Sequence, residues 1–203
     1  MHATLDRVVP PLAHPESVAA ALEGIRCAVA DATPTYLSVP VTSGPRFVDW
    51  LRRPDRPTRG TPDYSMRHEI EVVRPNIAAA RDHARAARRR WGDSPLVNPA
   101  ALNVPGWTQG DYLRLWLAFV ETDAARIVAA PGWALSSGCV LEVAAALERR
   151  RQVHLLDGSA LNAGPALDEI KSSIGILSGL SLDTRTFEVS ALLLDNVFRT
   201  ASA

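Results

Sequence analysis

Neither charge dominates this chain: 22 Lys and Arg residues are balanced by 22 Asp and Glu, a formal net charge of zero. A surface without a net field gives no reason to expect a nucleic acid or an anionic membrane as partner. No run approaches the roughly 18 apolar residues that cross a bilayer. The opening residues, MHATLDRVVPPLAHPESV, lack a basic start followed by an apolar core, so no signal peptide is expected. Cysteine is scarce, and Cys27 and Cys139 stand far apart, at neither metal-ligand nor redox spacing. The five histidines show no ligand spacing either, and repeats and low-complexity tracts are absent. These absences point to a reduced, cytoplasmic protein for which no metal and no cofactor are expected.

What remains is an ordinary globular composition. At 203 residues, 47% of them hydrophobic, the chain is long enough for one domain with some decoration or two small ones. A proline-punctuated arm leads into a helix expected from Pro15 to about Ala30, with Glu16 in its first turn. PTYLSVPVTSG (34–44) is β-rich and ends in turn residues, so it is expected to be the first core strand. Residues 45–64, dense in proline and arginine, read as one long loop, and residues 64–91 as a helical stretch interrupted near Arg74-Pro75. SPLVNPAAL (94–102) predicts a short second strand, and Leu113, Leu117 and Val120 stack at helical spacing within 108–123. ARIVAAPGW is the third strand, Ser137–Arg150 a helix and RQVHLLDG the fourth strand, with two further helices over 165–180 and 186–200.

Strands alternating with helices predict an α/β fold, a Rossmann-like (flavodoxin-like) parallel sheet flanked by helices. The expected division is an N-terminal arm and helix (1–33), an α/β domain (34–160) and a C-terminal helical extension (161–203). In open α/β sheets ligands bind beyond the carboxyl ends of the strands. Three turns land there: Thr42-Ser43-Gly44, Asn98-Pro99-Ala100, and Trp133 to Gly138.

The last of these turns opens a helix, SSGCVLEVAAAL. Ser136, Ser137 and Gly138 stand at its N-terminus, where free N–H groups and the helix dipole favour an anion. Glu142 follows about one turn later. Helical side chains lean toward the N-terminus, so its carboxylate is expected over Gly138, which has no side chain to block an approach. The dipole also favours the ionised form a nucleophile needs. On this stretch alone, an ordinary surface glutamate is the simpler reading.

A wider pattern changes the balance. YLSVPVTSG with Tyr36, a middle strand ending in VNPAAL, and then D…IVAAPGWALSSGCVLEVAAAL together resemble the nucleoside 2-deoxyribosyltransferase superfamily over about residues 36–157. That superfamily includes base-exchanging transferases and nucleoside 5′-monophosphate N-glycosidases. The resemblance implies that Glu142 attacks the anomeric carbon of a ribosyl or deoxyribosyl group and that Tyr36 orients it through its hydroxyl. It implies that Ser136, six residues before the glutamate, binds a 5′-phosphate where the transferases carry an acid for a free hydroxyl. Ser43, Gly44 and Arg46 would help to cradle the same group. A small-molecule nucleoside or nucleotide is then the partner, and a homodimer or larger assembly is implied.

Two departures stand out. Val39 replaces the glycine usual in YLSGP. The aspartate that assists the leaving base is expected eight residues before Asp123, where this chain has Leu115, with Asp111 and Glu121 off register. Because Ser136 replaces the acid of the transferases, hydrolysis of a 5′-monophosphate ranks ahead of base exchange. SSGCVLE also looks like the Ser…Cys-x-x-Glu segment of TIR domains, some of which cleave NAD. A non-catalytic nucleotide-binding module is the remaining alternative. Trp133 is expected to stack on the base in preference to Trp116 or Trp107. Asn98 is expected to contact substrate or to start its turn. His68 is a weaker candidate acid, and His154 an ordinary strand residue. The basic runs ARAARRRW (84–91) and ERRR (148–151) read as solvated helix faces.

Overall fold

Residues 8–201 are described by the structure, a computed structural model. Residues 1–7 of the expected arm and residues 202–203 lie outside them. Helix α1 (Pro15–Val29) begins with a proline in its first turn and Glu16 beside it, and lays Ala21, Leu22 and Ile25 against the core. Strand β1 is Thr35–Ser38, shorter than the expected segment and buried along its whole length. The chain then passes through α2 (Pro45–Leu51), α3 (Pro62–His68), α4 (Arg74–Arg90) and the two-residue strand β2 (Leu96–Val97). Helix α5 (Gln109–Thr122), strand β3 (Arg126–Ala129), helix α6 (Ser137–Glu148) and strand β4 (Gln152–Leu155) follow. Helices α7 (Ala163–Gly179) and α8 (Arg185–Ala201) complete the described chain. Among the described residues no helix is long and apolar enough to cross a membrane.

Two expectations need correction. Residues 45–64 are not one loop: the first seven form α2, and α3 starts at Pro62. In both helices a proline sits at the start, where its missing N–H would have no partner in any case. The interruption near Arg74-Pro75 takes the form of a π turn, Glu69–Val73, and the chain stays helical through it. Pro75 has no N–H to donate and its ring crowds the carbonyl four residues back. A wide turn immediately before it relieves that crowding, and the Arg74 N–H bonds to the Glu69 carbonyl instead.

The four strands are parallel in the order β2-β1-β3-β4, an α/β sheet of Rossmann-like type. Crossovers between parallel strands are right-handed, so the connection running outward to β2 and those running back to β3 and β4 must cover opposite faces. The side chains agree. Leu37, Val39, Val128 and Ala130 pack against Ala80 and Ala84 of α4. Tyr36, Ile127 and Ala129 face the larger cluster with Phe119 of α5 and Val140 and Ala144 of α6. Ile170, Leu177, Phe187 and Leu194 belong to that same cluster, so the C-terminal helices share one core with the sheet. Because β1 and β3 are neighbours whose chains leave in opposite directions, a crevice opens between their carboxyl ends.

The arm is tied to the first turn of α5. Asp111 Oδ1 accepts the N–H groups of Ala13 (2.8 Å) and His14 (2.9 Å), and its Oδ2 lies 3.0 Å from His14 Nδ1. Oδ2 also accepts the Thr108 N–H at 2.8 Å, closing a capping box at the start of α5. Burial pushes the Asp111 pKa upward, but the bonds from His14 and Thr108 outweigh it and hold the carboxyl below its ordinary range.

Two loops at the crevice are locked together. The Gly44 N–H donates to the Leu135 carbonyl at 3.1 Å. Gly132 has φ +78°, and a Cβ there would stand 2.3 Å from Pro45 Cγ. Only glycine allows both the left-handed backbone and the close approach. Gly132→Ala is therefore expected to destabilise the protein by about 2 kcal/mol or more, from overpacking and backbone strain together. Urea unfolding of the variant beside the wild type measures this, and equal midpoints would contradict the locked-loop geometry.

Candidate active site

Glu142 projects from α6 toward β1, 5% exposed. Tyr36 and Ser38 lie two residues apart on β1, and in a strand that spacing places both side chains on one face. The Tyr36 hydroxyl donates to Glu142 Oε1 at 2.9 Å, and the Ser38 hydroxyl donates to Oε2 at 2.6 Å. Each carboxylate oxygen thus receives one hydroxyl. Tyr36 is itself packed by Trp116 and Phe119, ring centroids 5.8 and 6.0 Å away, which fixes the phenol against rotation.

Burial decides the electrostatics. It pushes the Glu142 carboxyl from its ordinary 4.5 up to about 7, although the Ser38 and Tyr36 hydroxyls pull the other way. Tyr36 is fully buried and beside this carboxylate, so its phenol is held well above the usual range and remains a donor. Burial, with the Glu142 carboxylate next to it, likewise pushes the Cys139 thiol up to about 12 and leaves it protonated.

Glu142 forms part of the lining of a cleft of about 290 Å³ at the carboxyl ends of the strands. Thr42 and Ser43 border it after β1, Pro99 and Ala100 after β2, and Ser136, Ser137 and Gly138 after β3. At the mouth of α6, the Ser43 hydroxyl donates to the Ser136 hydroxyl at 3.0 Å. Ser136 is the residue preceding α6, but its side chain makes no capping bond to the helix. A Cβ on Gly138 would meet nothing within 4 Å, so the space above the helix start is open. Val39 is buried and also borders the cleft, filling room that glycine would leave.

Several expected site residues are placed elsewhere. Trp133 is turned into the core at 2% exposure, its side chain beside Glu169 of α7, while Trp116 borders the cleft. The preference between these two tryptophans is therefore reversed. Trp107 is half-buried outside the cleft and donates to the Ser17 hydroxyl at 3.0 Å. Asn98 accepts the Ala100 N–H at 3.1 Å and starts its turn. Gly44 serves the loop contact described above. Arg46 lies outside the cleft and bonds through Nε to Asn76 Oδ1 at 3.2 Å. Asn76 in turn donates to the carbonyls of Val41 (2.9 Å) and Ser43 (3.0 Å), so Arg46 and Asn76 steady the loop that carries Ser43. His68 Nε2 stands 2.9 Å from the Thr42 carbonyl, which only accepts, so that nitrogen carries the proton. His154 packs against Trp91. Leu115 is fully buried in the core and Asp111 is committed to the arm, so neither serves the cleft.

Ser38, Asn76 and Glu69 escaped the sequence reading. Ser38 was within its reach, since the period of two that places Tyr36 also places Ser38. Asn76 and Glu69 carry no local signal, because only the fold of residues 45–90 brings them to the cleft side. Among the described residues no group of three or more His, Cys, Asp and Glu side chains is placed to hold a metal ion.

The Glu142 shift has a consequence for stability. Between pH 4.5 and about 7 the folded protein holds a proton on Glu142 that the unfolded chain has released. Stability from this group therefore falls as pH rises through that window, by up to roughly 3 kcal/mol, and levels off above it. Glu142→Gln removes the titration. The variant is expected to gain on the wild type in unfolding free energy from pH 5 to pH 8, and a pH-independent difference would contradict the buried, titrating carboxylate.

No protein-family model matches this chain, and neither does any curated protein or any solved structure.

Proposed function

We propose that the protein cleaves the N-glycosidic bond of a nucleoside 5′-monophosphate, with Glu142 as the nucleophile. The observation that carries this reading is the buried Glu142 carboxylate, held on both oxygens by the Tyr36 and Ser38 hydroxyls and bordering the cleft. A buried carboxylate with a raised pKa at a cleft is the kind of group that marks a candidate functional site. In its ionised form it attacks the anomeric carbon, the bond to the base nitrogen breaks, and its electron pair leaves with the base. A glycosyl ester on Glu142 results, and water then hydrolyses it.

The cleft supports both ends of such a substrate. Val73, Ile77, Leu102 and Trp116 offer an apolar, partly aromatic wall for a base. The Ser43 and Ser136 hydroxyls stand at the start of the twelve-residue helix α6 and supply neutral donors for a phosphate. No Lys, Arg or His borders the cleft among the described residues, so the phosphate relies on these hydroxyls and the helix N–H groups. A hydroxyl pair avoids the repulsion that an acid at Ser136 would exert on a dianion.

Incubation with nucleoside 5′-monophosphates, free nucleosides and NAD, with and without an acceptor base, and chromatography for released base tests this reading. Release is expected to be faster from monophosphates than from nucleosides. Glu142→Gln should lower kcat by about 10³-fold or more, and kcat/KM should rise with pH as Glu142 ionises, with its midpoint at about 7. Nicotinamide from NAD alone would favour the TIR-like reading, and an exchanged base the transferase. No base from any substrate would contradict an enzyme of this class.

A further inference from the structure

We propose that Glu69 is the base that activates the hydrolytic water, an assignment that rests on the reading of Glu142 as nucleophile. Hydrolysis of a glycosyl–carboxylate ester requires a group that takes a proton from water as the water attacks. Two acidic residues border the cleft among the described residues, Glu142 and Glu69. Asp111, the nearest acid on α5, is buried and spent on the arm and on the cap of its own helix. Leu115, one turn further, is apolar and fully buried. The catalytic base therefore comes from a different element.

Glu69 arrives from the connection between β1 and β2, whose helix α4 covers the sheet face opposite α6. It opens the π turn, and its carbonyl accepts the wide bond from Arg74. Such turns recur at functional sites because the extra residue re-aims side chains on either side of it. Val73 and Ile77, four and eight residues on, border the same cleft. The segment is also tied to the loop after β1, since His68 bonds the Thr42 carbonyl at 2.9 Å. Arg74 Nε holds Glu69 Oε1 at 3.3 Å, and the Glu69 side chain is 48% exposed. Glu69 thus borders the cleft while its side chain keeps contact with bulk water.

In the step assigned to it, the water oxygen bonds to the anomeric carbon while one water proton passes to the Glu69 carboxylate. The bond from that carbon to the Glu142 oxygen breaks, and its electron pair returns to Glu142. Glu69 then releases the proton to solvent. The first half of the reaction, attack by Glu142 and departure of the base, does not use it. Loss of Glu69 therefore separates the two halves.

Rapid-quench measurement of base release from a nucleoside 5′-monophosphate tests the assignment, using the full chain as wild type, Glu69→Gln and Glu69→Asp. Glu69→Gln is expected to release one equivalent of base per enzyme in a burst and then turn over about 10²-fold or more slowly than wild type. Sodium azide, a nucleophile that needs no base, should restore turnover of the variant and yield a glycosyl azide. Glu69→Asp should retain part of the steady rate. Wild-type release with an unimpaired Glu69→Gln overturns the assignment to Glu69 and leaves Glu142 standing. So does a slow variant with neither burst nor azide rescue. No release by the wild type overturns the Glu142 reading and this one with it.

Discussion

A carboxylate removed from water loses its hydration, and Glu142 recovers part of that loss from two hydroxyls on one strand. Tyr36 and Ser38 give it one hydrogen bond on each oxygen, at 2.9 and 2.6 Å. Hydrogen bonds to an ionised acceptor are among the strongest in proteins, yet here they do not cancel the cost of burial. The carboxyl sits at about 7 instead of 4.5, poised between its two protonation states near neutral pH. The rest of the architecture serves to keep that carboxylate in place: α5 packs Trp116 and Phe119 against the Tyr36 ring, and β3 carries the chain to the start of α6.

The sheet order determines where this carboxylate can be reached. The chain leaves β1 toward one edge and returns past it to β3, so the two central strands end beside an open crevice. Loops from both strands close on it, and their separation is set by contacts that tolerate almost no added atoms. Gly132 abuts Pro45, Gly44 bonds Leu135, and Asn76 ties down the loop carbonyls of Val41 and Ser43. The Ser43–Ser136 hydroxyl pair is the product of this locking. Two serines 93 positions apart meet at 3.0 Å because the backbone around them has no slack.

Much of this was legible in the chain. The alternation of strands and helices predicts the parallel sheet, and the resemblance carried by the strand and helix motifs implies that Tyr36, Ser136 and Glu142 converge. Such features are local: a strand's period of two, a helix start and an apolar run each carry their own signal. Trp133 and Trp116 show where that reasoning stops. Both sit near the expected site in sequence, and only packing decides that Trp133 turns toward α7 while Trp116 turns to the cleft. Residues 45–64 mislead for a related reason, because proline at a helix start and proline in a loop look alike without the neighbouring backbone. Glu69 lies beyond sequence reasoning altogether, since its place depends on the path of three helical segments and a π turn.

The central claim is that Glu142 carries a glycosyl group during turnover. Incubation with a 2-fluoroarabinosyl nucleoside 5′-monophosphate slows breakdown of such an ester, and peptide mapping by mass spectrometry locates any adduct. The account predicts one sugar-phosphate adduct per chain, on the peptide containing Glu142, with none in Glu142→Gln. An adduct on another residue, or release of base with no covalent intermediate at all, would contradict it.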